Sequence, residues 1–176
     1  MVQELKQKPI RALVAAVQLP DVSEADFQAS LSELRQLAKT LGFQVVGTFT
    51  QQRAKFDSGA YLGTGKRQEI RRFVHNESES DHESGASTGR GAEAIEPAAA
   101  SDMDTRSAEV LLVDHEISPS QARNLEKEIG CEVMDRTMVI LEIFHRHARS
   151  RAARAQVEIV RLNYIAPRLR EAAKLA

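Results

Sequence analysis

The run Arg11-Ala12-Leu13-Val14-Ala15-Ala16-Val17 constrains this chain more than any other feature. From Ala12 onward it is apolar without alternation, and Pro9 and Pro20 bound it. It is too short for a globular helix. A strand apolar at consecutive positions is buried on both faces, as happens in parallel sheets whose crossover helices cover both sides.

The rest of the N-terminal half fits such a sheet. Ser23 caps a helix, with Asp26 as its capping-box partner, and Phe27, Leu31, Leu34, Ala38 and Leu41 share one helical face. Gly42 ends that helix, and Phe43 to Phe49 reads as a second strand. Lys66 to about His75 is helical, with Ile70, Phe73 and Val74 on its apolar side. Val110 to Val113 is a third buried strand. Ser118-Pro119 supplies a cap and a proline at the first helical position. Ala122, Leu125 and Ile129 form the inner face of that helix, and Gly130 closes it. Cys131 to Met134 is a short fourth strand. Thr137 is expected to cap the next helix, with Ile140, Leu141, Ile143 and Phe144 inside. The order β-α-β-α-β-α-β predicts an α/β fold: a mostly parallel four-stranded sheet with helices on both faces.

Residues 77–106 interrupt this alternation. They hold eight acidic and two basic residues, and only Ile95 and Met103 are large and apolar. Burial cannot offset the ordering entropy of such a stretch, so a disordered acidic insertion is expected there. The formal net charge of −1 hides a counterweight, because His145 to Ala176 carries eight basic and two acidic residues. The domain plan is therefore an α/β body over 1–76 and 107–149, the insertion over 77–106, and a basic C-terminal helix over 150–176.

That helix carries Ala155, Ile159, Leu162, Ala166, Leu169 and Ala173 at alternating spacings of four and three, a short heptad seam. Pro167 lies within it and should kink the helix or remove one backbone bond. The body is expected to cover only the first turn or two, leaving the rest of the seam to a partner helix or a weak homodimer.

Composition excludes several classes. Apolar residues make up 42% of the 176, enough for a core, and no apolar run is long enough to span a membrane. The N-terminus has no apolar signal region, so a cytoplasmic location is expected. A single cysteine, Cys131, rules out an internal disulfide framework and a Cys-rich zinc site. His145 and His147 point apart on a helix, so no metal site is expected there.

Four places could carry chemistry. Gly63-Thr64-Gly65-Lys66 suits a turn that opens a helix or contacts an anion through Lys66 and Arg67. The nucleotide-binding P-loop also needs Gly at 60 and Ser or Thr at 67, where this chain has Ala60 and Arg67. Asp114-His115-Glu116 and Asp135-Arg136-Thr137 follow the third and fourth strands, where open α/β sheets place ligands. His115, Asp135 and Arg136 are thus the candidate pocket, against the plainer reading of helix caps and local ion pairs. The basic residues Arg146, Arg149, Arg151, Arg154, Arg161, Arg168 and Arg170 suit phosphate contact or a solvated helix face. From these, Lys66, Arg67, Arg146, Arg149, Arg154, Arg161 and Arg168 are the RNA-binding candidates. No catalytic constellation is recognised.

Val113 to Leu169 resembles the N-terminal region of the HflX family of ribosome-associated GTPases. The resemblance lies in Asp114-His115-Glu116-Ile117-Ser118-Pro119-Ser120-Gln121-Ala122-Arg123-Asn124-Leu125-Glu126, in Asp135-Arg136-Thr137, and in Ile140-Leu141-Glu142-Ile143-Phe144. It continues through Ala148-Arg149-Ser150, Gln156-Val157-Glu158, Arg161-Leu162-Asn163-Tyr164 and Pro167-Arg168-Leu169, and Tyr61 to Lys66 matches an earlier family element. The resemblance implies an α/β subdomain followed by a helical hairpin that reaches the large ribosomal subunit. It also implies a GTP- and magnesium-binding domain, which has no counterpart in this sequence. Ala153-Arg154-Ala155 departs from the family's turn before Gln156. The expectation is a non-catalytic module that binds the large subunit, its RNA or a GTPase-domain protein. The alternatives are a small-molecule or nucleotide-binding α/β module, or a fragment of a split or truncated GTPase.

Overall fold

A computed structural model describes residues 8–77 and 107–174. Nine elements follow in chain order: β1 (Arg11–Gln18), α1 (Glu24–Thr40), β2 (Gln44–Gln52), α2 (Thr64–His75), β3 (Val110–Val113), α3 (Pro119–Ile129), β4 (Glu132–Asp135), α4 (Arg136–His147) and α5 (Arg151–Ala173). The four strands form one sheet in the order β2-β1-β3-β4, and every pairing is parallel. The expected acidic insertion falls almost wholly outside the described residues.

β1 is buried on both faces, as its unbroken apolar run requires. Leu13, Ala15 and Val17 face one core with Ile70 and Val74 of α2 and Ala122, Leu125 and Ile129 of α3. Ala12, Val14 and Ala16 face the other, with Phe27, Leu31, Leu34 and Ala38 of α1 and Val139 of α4. The period-two alternation of a strand thus divides one hydrophobic run between two helix layers.

Several boundaries differ from expectation. β2 runs on to Gln52, because its polar end still pairs with Val17 and Gln18. α4 is capped by Asp135, not Thr137: the Asp135 side chain accepts a hydrogen bond from the Met138 N–H at 2.9 Å. β4 ends directly in α4, so the last strand residue serves as the cap and Thr137 lies in the first turn. Val139 is the buried residue of α4, whereas Phe144 is 57% exposed.

α5 is continuous across Pro167, which lacks the N–H for one helical bond, the second of the two outcomes expected. Its course departs from expectation. It does not leave the body after a turn or two. It returns across α4 and α3 as far as Glu171, which approaches Arg123. No α5 residue is buried. Ile159, Leu162 and Leu169 of the seam are more than half exposed, while Glu158, Arg161, Tyr164, Arg168 and Glu171 meet the body.

Candidate functional site: the strand ends and the arginine-rich elbow

β3 and β4 are adjacent and parallel, so Asp114 and Asp135 emerge at the same end of the sheet, and both carboxylates are buried. Burying a carboxylate costs several kcal/mol unless it is paired and hydrogen-bonded. Each is provided for separately.

Asp114 pairs with Arg136 at 2.5 Å and accepts the Ser30 hydroxyl at 2.8 Å. The other end of the Arg136 guanidinium reaches Glu33 at 2.8 Å. One arginine therefore joins the end of β3 and the start of α4 to α1. The strand-end motifs picked out in the sequence do meet, through Asp114 and Arg136.

Asp135 carries more. One oxygen caps α4, and the other accepts the Ile117 N–H at 3.2 Å, the Arg168 guanidinium at 2.6 Å and the Tyr164 hydroxyl. Arg168 also stacks over the Tyr164 ring, with its guanidinium carbon 4.7 Å from the ring centroid, and donates to the Ile117 carbonyl at 3.0 Å. Burial and the bond to Asp135 raise the Tyr164 hydroxyl above its ordinary pKa. It therefore stays protonated and donates.

His115 joins neither arginine. Its Nδ1 lies 2.5 Å from the hydroxyl of Tyr61, which also accepts the Val17 N–H at 3.0 Å. Phe56 packs on both rings. Tyr61 adopts a left-handed backbone conformation, with φ of 65°. The Asp57 carboxylate holds this turn by accepting the Gly59 and Ala60 N–H groups. Burial lowers the His115 pKa, partly opposed by Asp114, and raises that of Tyr61. His115, Asp135 and Arg136 therefore share one end of the sheet while each is bound into a different set of partners. Ser30, Tyr61 and Tyr164 complete these sets. No local motif marks Ser30, whereas Tyr164 and Tyr61 stand out in the sequence only within Arg161-Leu162-Asn163-Tyr164 and Tyr61 to Lys66, the stretches that carry the family resemblance.

The glycine-rich turn opens α2, with Gly63 at the N-cap and its N–H bonded to Gln51. Lys66 pairs with Glu69 at 2.7 Å. Arg67 turns inward, donating to the Leu62 carbonyl at 2.8 Å and pairing with Glu128 at 2.8 Å. The remaining basic candidates divide in two. Arg161 pairs with Glu142 and Glu158, and Arg168 with Asp135, so both fasten α5 to the body. Arg146 donates to the Leu41 carbonyl. Arg149 and Arg154 are exposed at the α4–α5 elbow, together with Arg151. A cavity of about 470 Å³ lies between α3, α4, α5 and the edge of β4, lined in part by Arg123, Val133, Met138, Ile165 and Arg168. Neither Lys66, His115 nor Arg136 borders it. Among the described residues, no group of three His, Cys, Asp or Glu side chains is placed to hold a metal ion, and no helix is long and apolar enough to cross a membrane.

The fold and its strand-end network define a parallel α/β domain whose C-terminal helix is strapped across the edge strand. The chain belongs to the family described as GTP-binding GTPase N-terminal, which it matches over residues 28–83 and 80–145. It is 46% identical over 167 residues to the GTPase HflX of Gluconacetobacter diazotrophicus, a match covering 91% of this chain and 37% of that protein. The GTPase HflX of Alkalihalophilus pseudofirmus is 35% identical, covering 95% of this chain and 33% of that protein. This is thus an HflX-like N-terminal domain, and the chain spans about a third of the length of these relatives. Two crystal structures share the fold at 20% identity. A variant of SsGBP has a TM-score of 0.60 and covers 93% of this chain and 42% of its own. A GTP-binding protein from Sulfolobus solfataricus in complex with GDP has a TM-score of 0.55 and covers 93% and 40%.

Proposed function

We propose that this domain is a non-catalytic docking module of the HflX type, which associates with the large ribosomal subunit through RNA phosphates. The observation that carries the reading is the division of the arginines. Those along the inner face of α5 are consumed by Asp135, Glu142 and Glu158, whereas Arg149, Arg151 and Arg154 at the elbow are exposed. Exposed guanidiniums without carboxylate partners suit phosphate contact. Lys66 and Arg67 support the reading less, because Glu69 and Glu128 neutralise them. The name GTPase is that of the whole HflX relatives, of which this chain matches about a third, and hydrolysis is not part of the reading.

Sedimentation with purified large subunits tests the proposal. At low salt the chain should pellet with the subunits, and raising the salt should release it. Arg149→Glu with Arg154→Glu should weaken the association by about ten-fold or more. Failure to pellet at low salt, or an unaltered double variant, would overturn the reading.

A further inference from the structure

Residues 144–154 hold Phe144, four arginines (Arg146, Arg149, Arg151 and Arg154) and two histidines, with no lysine and no acidic residue. The flanking carboxylates are already engaged, Glu142 by Arg146 and Arg161, and Glu158 by His145 and Arg161. Positive charge at the elbow is therefore left uncompensated by the nearest acids. Beside it, Phe144 on the last turn of α4 is 57% exposed, although the helix has an apolar face available. The elbow is also held in shape. Ala148 N–H donates to the Phe144 carbonyl at 3.0 Å, Arg154 Nε to the Ala148 carbonyl at 3.1 Å, and Ser150 caps α5 through the Ala153 N–H.

We infer that this elbow is a binding surface for unpaired RNA, on which Phe144 stacks with a splayed base while Arg149, Arg151 and Arg154 take the flanking phosphates. The inference rests on the RNA-docking reading above and specifies its partner. Three features select this ligand. The cations are all guanidiniums, which meet phosphate oxygens in pairs and stack on planar groups. The aromatic side chain is a phenylalanine with no polar group of its own, so a ring face is what it offers. In an A-form duplex the base faces are already stacked on one another, so an exposed ring finds a partner only in a single strand, loop or bulge. An acidic protein surface would satisfy the arginines but would give Phe144 no flat partner.

The test is fluorescence anisotropy of the full chain with a labelled twelve-nucleotide adenosine strand, and with the same strand paired to its uridine complement. Single-strand binding should be at least about five-fold tighter than duplex binding. Phe144→Ala should lower single-strand affinity by about five-fold to a hundred-fold and leave duplex affinity unchanged, and Phe144→Trp should restore it. Phe144 is exposed, so circular dichroism should show both variants folded. Arg149→Ala with Arg151→Ala should make the single-strand salt slope shallower by about 1.4, the value for two lost phosphate contacts. Equal or tighter duplex binding, an unchanged Phe144→Ala variant, or no binding to either oligonucleotide would overturn the inference. Salt-sensitive association with large subunits that survives Phe144→Ala would overturn it while leaving the docking reading standing. Loss of that association in the wild-type chain would remove the docking reading itself.

Discussion

Arg168 Nη2 lies 2.6 Å from Asp135 Oδ2, joining the end of β4 to a helix thirty-three residues further along the chain. The same carboxylate also caps α4 and accepts the Ile117 N–H, so one buried side chain sets the start of α4, the entry to α3 and the position of α5. Asp135→Asn keeps an acceptor for the cap and leaves Arg168 without its charge partner. Breaking a buried pair from one side costs about 3–5 kcal/mol. The urea midpoint should fall accordingly at unchanged slope. Tyr164→Phe removes the hydrogen bond donated to the same oxygen and the one accepted from Arg168 at 2.8 Å, and should cost about 1–3 kcal/mol.

Acidification should weaken the Tyr61–His115 contact. Burial holds the His115 pKa below its ordinary value. Between the folded pKa and the unfolded value near 6.5, the unfolded chain binds a proton that the folded chain does not. Stability from this residue is therefore full above about pH 6.5 and declines as the pH falls toward the folded pKa. Thermal melts between pH 7 and pH 5 should show a steeper fall for the wild-type chain than for His115→Gln. Equal slopes would show that His115 does not contribute.

The glycine-rich turn should not hold a nucleotide. Ala60 and Arg67 replace residues that a P-loop requires, and the Arg67 side chain is fastened to Leu62, Thr64 and Glu128. Equilibrium binding of labelled GTP with magnesium to this chain should give no stoichiometric complex at micromolar concentration. A saturable one-to-one complex would contradict this.

The outer face of α5 should support weak self-association. Ile159, Leu162 and Leu169 are 59%, 52% and 64% exposed, and burying a large aliphatic side chain is worth about 1.5–3 kcal/mol. The alanines of the seam and Arg151, Arg154 and Arg170 nearby reduce that gain. Light scattering should show an average mass that rises with concentration through the high micromolar range. Ile159→Asp with Leu162→Asp should abolish the rise without altering the circular dichroism spectrum, because neither side chain is buried. A strict monomer over that range would exclude the dimer.

The body of the fold is legible in the sequence because its signals are local. A run apolar at every position fixes β1 as central and doubly covered, and Ser23, Ser118 and Pro119 mark helix starts by their own chemistry. Asp135 and Thr137 are both capping residues, and local pattern does not choose between them. The choice is made by β4 running straight into α4, which hands the role to the last strand residue. The site is less legible because its bonds span the chain. Tyr61 and His115 are 54 residues apart, and Ser30 and Asp114 are 84 apart. The heptad count on α5 selects its apolar residues, whereas the helix docks by charge and hydrogen bonds through Glu158, Arg161, Tyr164 and Arg168.

That inward polarity fixes the angular phase of α5. A helix seated on grease alone can roll or slip by a residue at small cost, since one aliphatic contact replaces another. Ion pairs and hydrogen bonds are directional, and those of Glu158, Arg161, Tyr164, Arg168 and Glu171 engage four different elements or turns of the body. A rotation of one residue, 100° about the axis, would break them together. Ile159, Leu162 and Leu169 therefore present to solvent at a set azimuth, and whatever meets them encounters a template already oriented before contact.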